Sequence, residues 1–468
     1  MTSSDHYDTI SIGSGEAGKF VCFTRSSTGK KTAVIEHKWP YGSCPNIACL
    51  PSKNVLYSAE QLHNAQKYTK MGLLKNNAIE GVNMSVVRER KRDMVKGMFE
   101  MHEDVLKDTG SELILGHANL VDAKTVEVEL KDGGKRVLTA DNIIICTGSR
   151  ARIDDTPGLK AAKPMTHIEL LELGEVPAHL VILGGGYSGL EFAQAHRRFG
   201  AKVSVIERNE RILKHEDEDV SSALVDILVA EGVDFHASTL ITSVSGTSGE
   251  SVTLNGTTSG KPFSITGTHI LVAGGRVPNT ENCGLESAGI QLMPSGHVKV
   301  NEYLQTNIPN VFAVGDCANT PYFTHMGFDD FRVVRDFLNQ TSPLRSTANR
   351  QVPYTLYTSP ELAHVGLSEG AATKAGVEYR LAKLPMAAFL RTRTMDATQG
   401  FAKALVSATD DTILGFTALG PKAGELLPVV QLAMSAGLPY TSLSEMIITH
   451  PTMNEGLVAL FGAVPPRK

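Results

Sequence analysis

The chain has 468 residues, 42% of them hydrophobic, enough for three or four compact units with their own cores and too many for a single small module. Its net charge of −5, with no block of lysine and arginine, offers no basic field to a phosphate backbone or an anionic membrane, so neither nucleic acid nor membrane is an expected partner. The start from Met1 to His6 is short and polar, and no stretch approaches the roughly 20 apolar residues of a membrane span, so the expectation is a soluble cytoplasmic protein.

From Tyr7 to Glu36 the sequence reads as strand, glycine turn, helix and strand, with Gly13, Gly15 and Gly18 forming the turn and Glu36 closing the second strand. Next comes Cys44-Pro-Asn-Ile-Ala-Cys49, which opens a predicted helix. The chain's six cysteines are too few for a disulfide scaffold, and only these two are close. A Cys-x4-Cys pair can close a small disulfide ring, and a helix N-terminus favours a thiolate at neutral pH. A zinc site would need further ligands nearby, and His37 is the one candidate, so no metal is expected.

The strand Ile143-Ile-Ile145 leads to Thr147 and Gly148, and the turn-rich stretch from Asp154 to Gly158 suits a domain boundary. The first pattern then recurs. Strand Leu180–Leu183 enters Gly184-Gly-Gly-Tyr-Ser-Gly189, a helix runs on to Arg198, and strand Lys202–Ile206 ends at Glu207. The interval from Gly13 to Glu36 equals that from Gly184 to Glu207, which raises the motif above a chance glycine pattern. The spelling has a physical reason. Glycines let the backbone approach a pyrophosphate, the helix N-terminus offers free amides, and the acid receives ribose hydroxyls.

A second apolar strand, Ile270–Ala273, ends at Gly274 and Gly275, and Asn310 to Asp316 reads as a return to the first unit. From about Val352, alternating strand-like segments and an apolar helix near Leu426–Ala436 read as an α+β domain. The expected fold is α/β: two Rossmann-like dinucleotide-binding domains (1–150 with 276–348, and 151–275) and a C-terminal α+β dimerisation domain (349–468). Near the end, His450 and Glu455 have the spacing of an imidazole held by a carboxylate, a general acid-base pair.

Together, the two glycine turns, the cysteine pair and His450-Pro-Thr-Met-Asn-Glu455 resemble the class I pyridine nucleotide-disulfide oxidoreductases. Phe323–Arg332 and Ser359–Glu369 look nearest to their mercuric-reductase-like and reactive-chlorine-resistance branch. The resemblance implies that Gly13, Gly15, Gly18 and Glu36 hold the adenosine end of FAD, with Gly42, Ser43, Thr147 and Gly148 along it and Asp316 at the ribityl chain. Gly184, Gly186, Gly189, Glu207, Arg208 and Gly275 would take NADPH or NADH, with Tyr187 as an aromatic gate over the nicotinamide pocket. Lys53 would lie beside the flavin, paired with Glu191. Cys49 would face the flavin and Cys44 attack the acceptor, with His450, oriented by Glu455, supplied across a homodimer interface.

Some positions depart from the family pattern. Pro45, Ala48 and Tyr41 replace the residues common around the cysteines, so the acceptor mouth is reshaped. The C-terminal cysteine pair of mercuric reductases is missing, and Phe23 stands where glutathione reductases have a substrate-binding arginine, so neither Hg(II) nor glutathione disulfide is favoured. The implied activity is a flavoprotein reductase passing electrons from NAD(P)H through FAD to the Cys44/Cys49 pair and on to a small acceptor. Dihydrolipoyl dehydrogenase is one alternative. A non-catalytic redox sensor is another, although Cys44, Cys49, Lys53 and His450 are all present. Glu207 argues for NADH and Arg208 with Lys214 for NADPH; the reading leans to NADPH with NADH tolerated.

Overall fold

A computed structural model of the chain describes residues 5–75 and 81–467. Most of the start read as a polar leader, residues 1–4, lies outside them. The first sheet has six strands. Asp5–Ile12 lies between Thr32–Glu36 and Lys135–Ile145, parallel to both, and Glu112–Leu120 and Val311–Ala313 extend the parallel set on the two sides. Thr9 to Ile12 are buried without interruption, as strands covered on both faces are, and this is why Thr9 and Ser11 belong to the core. Beyond that layer, Glu112–Leu120, Thr125–Leu130 and Lys135–Ile145 continue as an antiparallel meander with in-out alternation.

The second glycine turn belongs to a four-stranded parallel sheet in the order His269–Val272, His179–Leu183, Lys202–Ile206, Val233–His236, flanked by a three-stranded antiparallel sheet over residues 239–267. A short antiparallel ribbon, Ser149–Ala151 against Arg276–Pro278, carries the chain into and out of this unit. The last unit is a five-stranded antiparallel sheet packed by helices Ala423–Ser435 and Glu455–Gly462.

The two long helices near the cysteines place the site. Cys49–Lys67 buries Val55 and Ala59 in the same core as Leu190 and Phe192 of helix Tyr187–Phe199, so one contact fixes the cysteine segment against the second glycine turn. Val55, Leu190 and Phe192 each contribute about 1.5–3 kcal/mol when fully buried. The cysteine segment differs from the single helix read in the sequence: Ser43–Asn46 is a short turn of helix, and a new helix begins at Cys49. Pro51 gives the reason. It has no amide hydrogen for the Ile47 carbonyl and its ring would strike that carbonyl in a continuous helix, but it is tolerated in a first turn. Cys49 is therefore the first residue of a helix rather than part of its interior.

Candidate active site

The two glycine turns share one construction. A Cβ on Gly13 would collide with the Cys146 carbonyl and one on Gly18 with the Ser11 hydroxyl; on the second turn, a Cβ on Gly189 would collide with the Gly184 carbonyl. Ser14 donates its amide (3.0 Å) and hydroxyl (2.7 Å) to one oxygen of Glu36, whose other oxygen accepts the amides of His37, Lys38 and Trp39. Correspondingly, Gly185 donates its amide to Glu207 at 2.8 Å, and the other oxygen of Glu207 accepts the Asn209 amide at 2.8 Å. Main-chain amides thus orient both acids. Arg208 is exposed, and Arg211 donates to the carbonyls of Lys214 and Glu216, so neither pairs with Glu207. Gly186 and Gly275 have open space beside them.

A cleft of about 1940 Å³ runs from Glu36, His37 and His117 past Gly13, Gly15, Thr147, Gly148 and Asp316 to Gly42, Ser43, Cys44 and Cys49. That exceeds the roughly 300–1,000 Å³ of an ordinary small-molecule pocket, as an extended dinucleotide requires. Asp316 accepts the Ser149 hydroxyl, and Arg276 lies 3.7 Å from its carboxylate. Gly42 (φ 94°) approaches the first turn so closely that a Cβ there would lie 2.9 Å from the Gly15 Cα. This glycine-on-glycine contact joins the cysteine loop to the nucleotide turn.

Tyr41 precedes it in a left-handed conformation (φ 72°), which costs a non-glycine residue on the order of 1–3 kcal/mol. Buried contacts hold it there. The Tyr41 carbonyl accepts Lys19 Nζ at 3.0 Å, and its ring stacks on His102 at 4.9 Å. His102 donates from Nδ1 to the Met98 carbonyl, leaving Nε2 to accept Lys19 at 2.9 Å, and Glu16 takes the third ammonium direction at 3.0 Å.

Cys44 and Cys49 are free thiols joined by a hydrogen bond, with Thr324 Oγ1 3.1 Å from Cys49 Sγ. The bond from Cys44 holds Cys49 below the usual thiol range against the effect of burial, with Thr324 and the Lys53 charge acting in the same sense. Cys44 goes the other way, raised first by that bond and then by burial. Cys49 is thus the more acidic member of the pair. Lys53, one turn on, pairs with Glu191 at 2.9 Å, and Glu191, only 6% exposed, also accepts the Tyr357 amide at 2.9 Å. Tyr187 lies one turn before Glu191 on the same helix and lines the same cleft.

His450 and Glu455 are brought together but not to the cysteines. Nδ1 lies 2.9 Å from the Glu455 carboxylate and so carries the proton, which leaves Nε2 free; the side chain is 64% exposed and does not line the cleft of its own chain. Phe23 is a core residue against Phe20 and lines no part of the cleft. Sequence reasoning missed Thr324, Lys19, His102, Glu216 and Tyr354. Thr324 falls within the motif Phe323–Arg332, and Lys19 is a cation directly behind a glycine turn, followed by the apolar run Phe20–Phe23.

A family model described as pyridine nucleotide-disulphide oxidoreductase matches residues 7–370, and one described as the dimerisation domain of that family matches residues 352–461. A probable pyridine nucleotide-disulfide oxidoreductase, RclA, of Escherichia coli K12 is 31% identical over 462 residues, covering 98% of this chain and 99% of its own. A dihydrolipoyl dehydrogenase of Geobacillus stearothermophilus is 30% identical over 450 residues (96% and 94%), and a mercuric reductase of Staphylococcus aureus 31% over 457 (96% and 81%). The solved structure described as a Cu(II) complex of HOCl-induced flavoprotein disulfide reductase RclA from E. coli superposes with a TM-score of 0.89 at 31% identity, over 98% of this chain and 100% of that one.

Proposed function

The chain belongs to the pyridine nucleotide-disulphide oxidoreductases, an FAD-dependent enzyme family, and from that premise we propose that it reduces a small oxidised acceptor through Cys49 and Cys44, with the catalytic imidazole supplied by a second copy. The observation that carries the reading is the thiol pair itself: Cys49 opens a helix, has Thr324 Oγ1 3.1 Å from its sulfur, and shares its cleft with Cys44, Lys53, Glu191 and Tyr187. The chemistry FAD supplies when bound is two-electron transfer between the nicotinamide and the cysteine disulfide. Gly13, Gly15, Gly18, Glu36, Gly42, Ser43, Thr147, Gly148 and Asp316 would hold it. Gly184, Gly186, Gly189, Gly275, Glu207 and Arg208 would take the nicotinamide dinucleotide, with Tyr187 covering the nicotinamide. The chain would divide into 1–150 with 276–348, 151–275, and 349–468, a division that the grouping of strands into separate sheets supports.

In the reduced pair, Cys44 passes its proton to Nε2 of His450 of the partner subunit, and its sulfur attacks one sulfur of an acceptor disulfide, forming a mixed disulfide. The leaving thiolate takes that proton back. Cys49 thiolate then attacks Cys44, reforms the Cys44–Cys49 disulfide and expels the second half of the acceptor. Glu455 keeps the imidazole in the required tautomer. Two observations support a role for His450 across an interface: its exposed ring lines no part of its own cleft, and the chain carries the family's dimerisation domain.

A second reading, with a metal ion as acceptor, is favoured by the likeness to RclA, which has been solved as a Cu(II) complex. Anaerobic reduction by NADH or NADPH, followed by mixing with disulfides, quinones, Hg(II), Cu(II) or oxidised halogen species, decides between them, and turnover with dihydrolipoamide would replace both. In the same assay, His450→Ala slows reoxidation by the acceptor about 10²- to 10⁴-fold while reduction by nicotinamide stays normal. A loss under tenfold removes the acid-base role. Heterodimers of His450→Ala with Cys44→Ala regain activity only if the site is shared.

A further inference from the structure

Tyr187, which the proposed function places over the nicotinamide, is not a free side chain. Its hydroxyl donates to Glu216 Oε1 at 2.8 Å, and the Tyr354 hydroxyl donates to the same oxygen at 2.7 Å. The two rings lie 5.5 Å apart, and Tyr354 stacks in turn on Phe323 at 5.8 Å with the planes only 5° from parallel. Burial, and after it the Glu216 charge, raises both phenols above their usual range, so both stay protonated as donors. Three parts of the chain meet at one carboxylate oxygen: the helix after the second glycine turn, the loop between Glu207 and helix Glu218–Ala230, and strand Tyr354–Leu356 of the C-terminal sheet.

The acceptor end of this contact is fixed. Asp217, the next residue, accepts the amides of Glu369 (3.1 Å) and Gly370 (2.9 Å) and the ammonium of Lys403 at 2.7 Å, and Lys403 also bonds Asp219 and Glu369 with none of its side chain exposed. Glu216 is therefore anchored through its neighbour to the C-terminal sheet, while Tyr187 stands at the first position of its helix with its side chain on the cleft wall. When a nicotinamide enters, the part free to move is the Tyr187 ring.

We propose that Glu216 and Tyr354 form a latch that holds Tyr187 closed over the cleft, so that nicotinamide binding must first break the Tyr187–Glu216 hydrogen bond. Glu216 lies behind the cleft wall and Tyr354 on it beside Tyr187, and both act here as positioning residues for the Tyr187 ring. The latch lowers the apparent affinity for nicotinamide by the fraction of molecules standing open, and in return keeps water and oxygen from the redox centre between turnovers. This inference rests on Tyr187 being the cover of the nicotinamide pocket.

The test uses holoenzyme of the wild type, Tyr354→Phe, Glu216→Gln and Tyr187→Ala. Calorimetric binding of NAD⁺ reads the latch at equilibrium, and nitration of Tyr187 by tetranitromethane, followed by peptide mass spectrometry, reads the phenol without turnover. Glu216→Gln and Tyr354→Phe are expected to bind NAD⁺ roughly tenfold tighter and to nitrate Tyr187 at least about tenfold faster, with the kinetic change in KM for the nicotinamide rather than in kcat. Unchanged affinity and nitration in both variants, while Tyr187→Ala does shift NAD⁺ binding, overturns the latch and leaves the cover standing. Unchanged NAD⁺ binding in Tyr187→Ala removes the cover itself, and the latch with it.

Discussion

Replacing Thr324 by valine removes one hydroxyl from beside Cys49 and keeps the side-chain shape. The Thr324 oxygen lies 3.1 Å from Cys49 Sγ, and a hydrogen bond to a charged acceptor is worth about 1.5–3 kcal/mol. With about 1.4 kcal/mol per pKa unit, the Cys49 thiolate of the reduced protein should require a pH one to two units higher to form. Cys49 is part-buried rather than sealed from water, so the shift should fall near one unit. The sign follows from the native state. The folded Cys49 titrates below the usual thiol value, so its contribution to stability is present above the unfolded pKa and is lost as pH falls through the lowered folded value. Thr324→Val moves the lower edge of that window upward. The rate of Cys49 alkylation by iodoacetamide against pH, followed by mass spectrometry on the reduced protein, gives the midpoint directly. A midpoint unmoved by Thr324→Val would show that Cys44 and Lys53 hold the thiolate without it, and would refute the reasoning.

Cys44→Ala should abolish acceptor turnover yet keep the thiolate-to-flavin charge-transfer absorbance of the holoenzyme, because in the proposed roles Cys49 is the thiol that faces the cofactor; if Cys49→Ala keeps the band instead, the two roles are exchanged. Arg208→Ala should lower NADPH efficiency roughly ten- to a hundredfold and spare NADH, the loss of one charged phosphate contact. Equal losses with both, or a wild type that ignores NADPH, would show that Glu207, held by Gly185 and Asn209, governs the choice. Lys403→Met leaves Asp217, Asp219 and Glu369 facing one another without their common cation and should destabilise the holoenzyme by about 3–5 kcal/mol in urea unfolding. A change under about 1 kcal/mol would mean that water enters and solvates the three carboxylates.

Among the described residues, Asp217, Asp219 and Glu369 form a group with metal-ligating spacing, and Lys403 occupies its centre. Nothing in the sequence announced this. The four residues come from two different sheets' surroundings, and each alone reads as a surface charge. What sequence could show was local: each strand–turn–helix–strand unit has a glycine whose added Cβ would meet an atom a few positions earlier in the same unit, Gly18 at Ser11 and Gly189 at Gly184, so pattern and cause lie close together there. Pro51, too, is legible as a helix breaker, and it accounts for the separation of Ser43–Asn46 from the helix that starts at Cys49. Contacts that join distant segments were beyond local reading. Thr324 meets Cys49 across 275 positions, Lys19 meets His102 across 83, and Tyr354 meets Glu216 across 138. The expected His450–Glu455 pair spans five positions, and there a short interval and a proline turn sufficed.

The ribbon of Ser149–Ala151 and Arg276–Pro278 has a topological meaning. Ala151 pairs directly with Arg276, so the chain enters and leaves the second nucleotide unit at adjacent points. A unit with neighbouring ends is an insertion, and the polypeptide that surrounds it is continuous across the gap. The sheet around Asp5–Ile12 shares no strand pairing with the sheet of the inserted unit. Native-state hydrogen exchange should accordingly resolve two protection levels, with the amides of the sheet around His179–Leu183 opening independently of those around Asp5–Ile12. Moving the insertion to another scaffold would take a two-strand splice and a new cover for Leu190 and Phe192, which Val55 and Ala59 bury here.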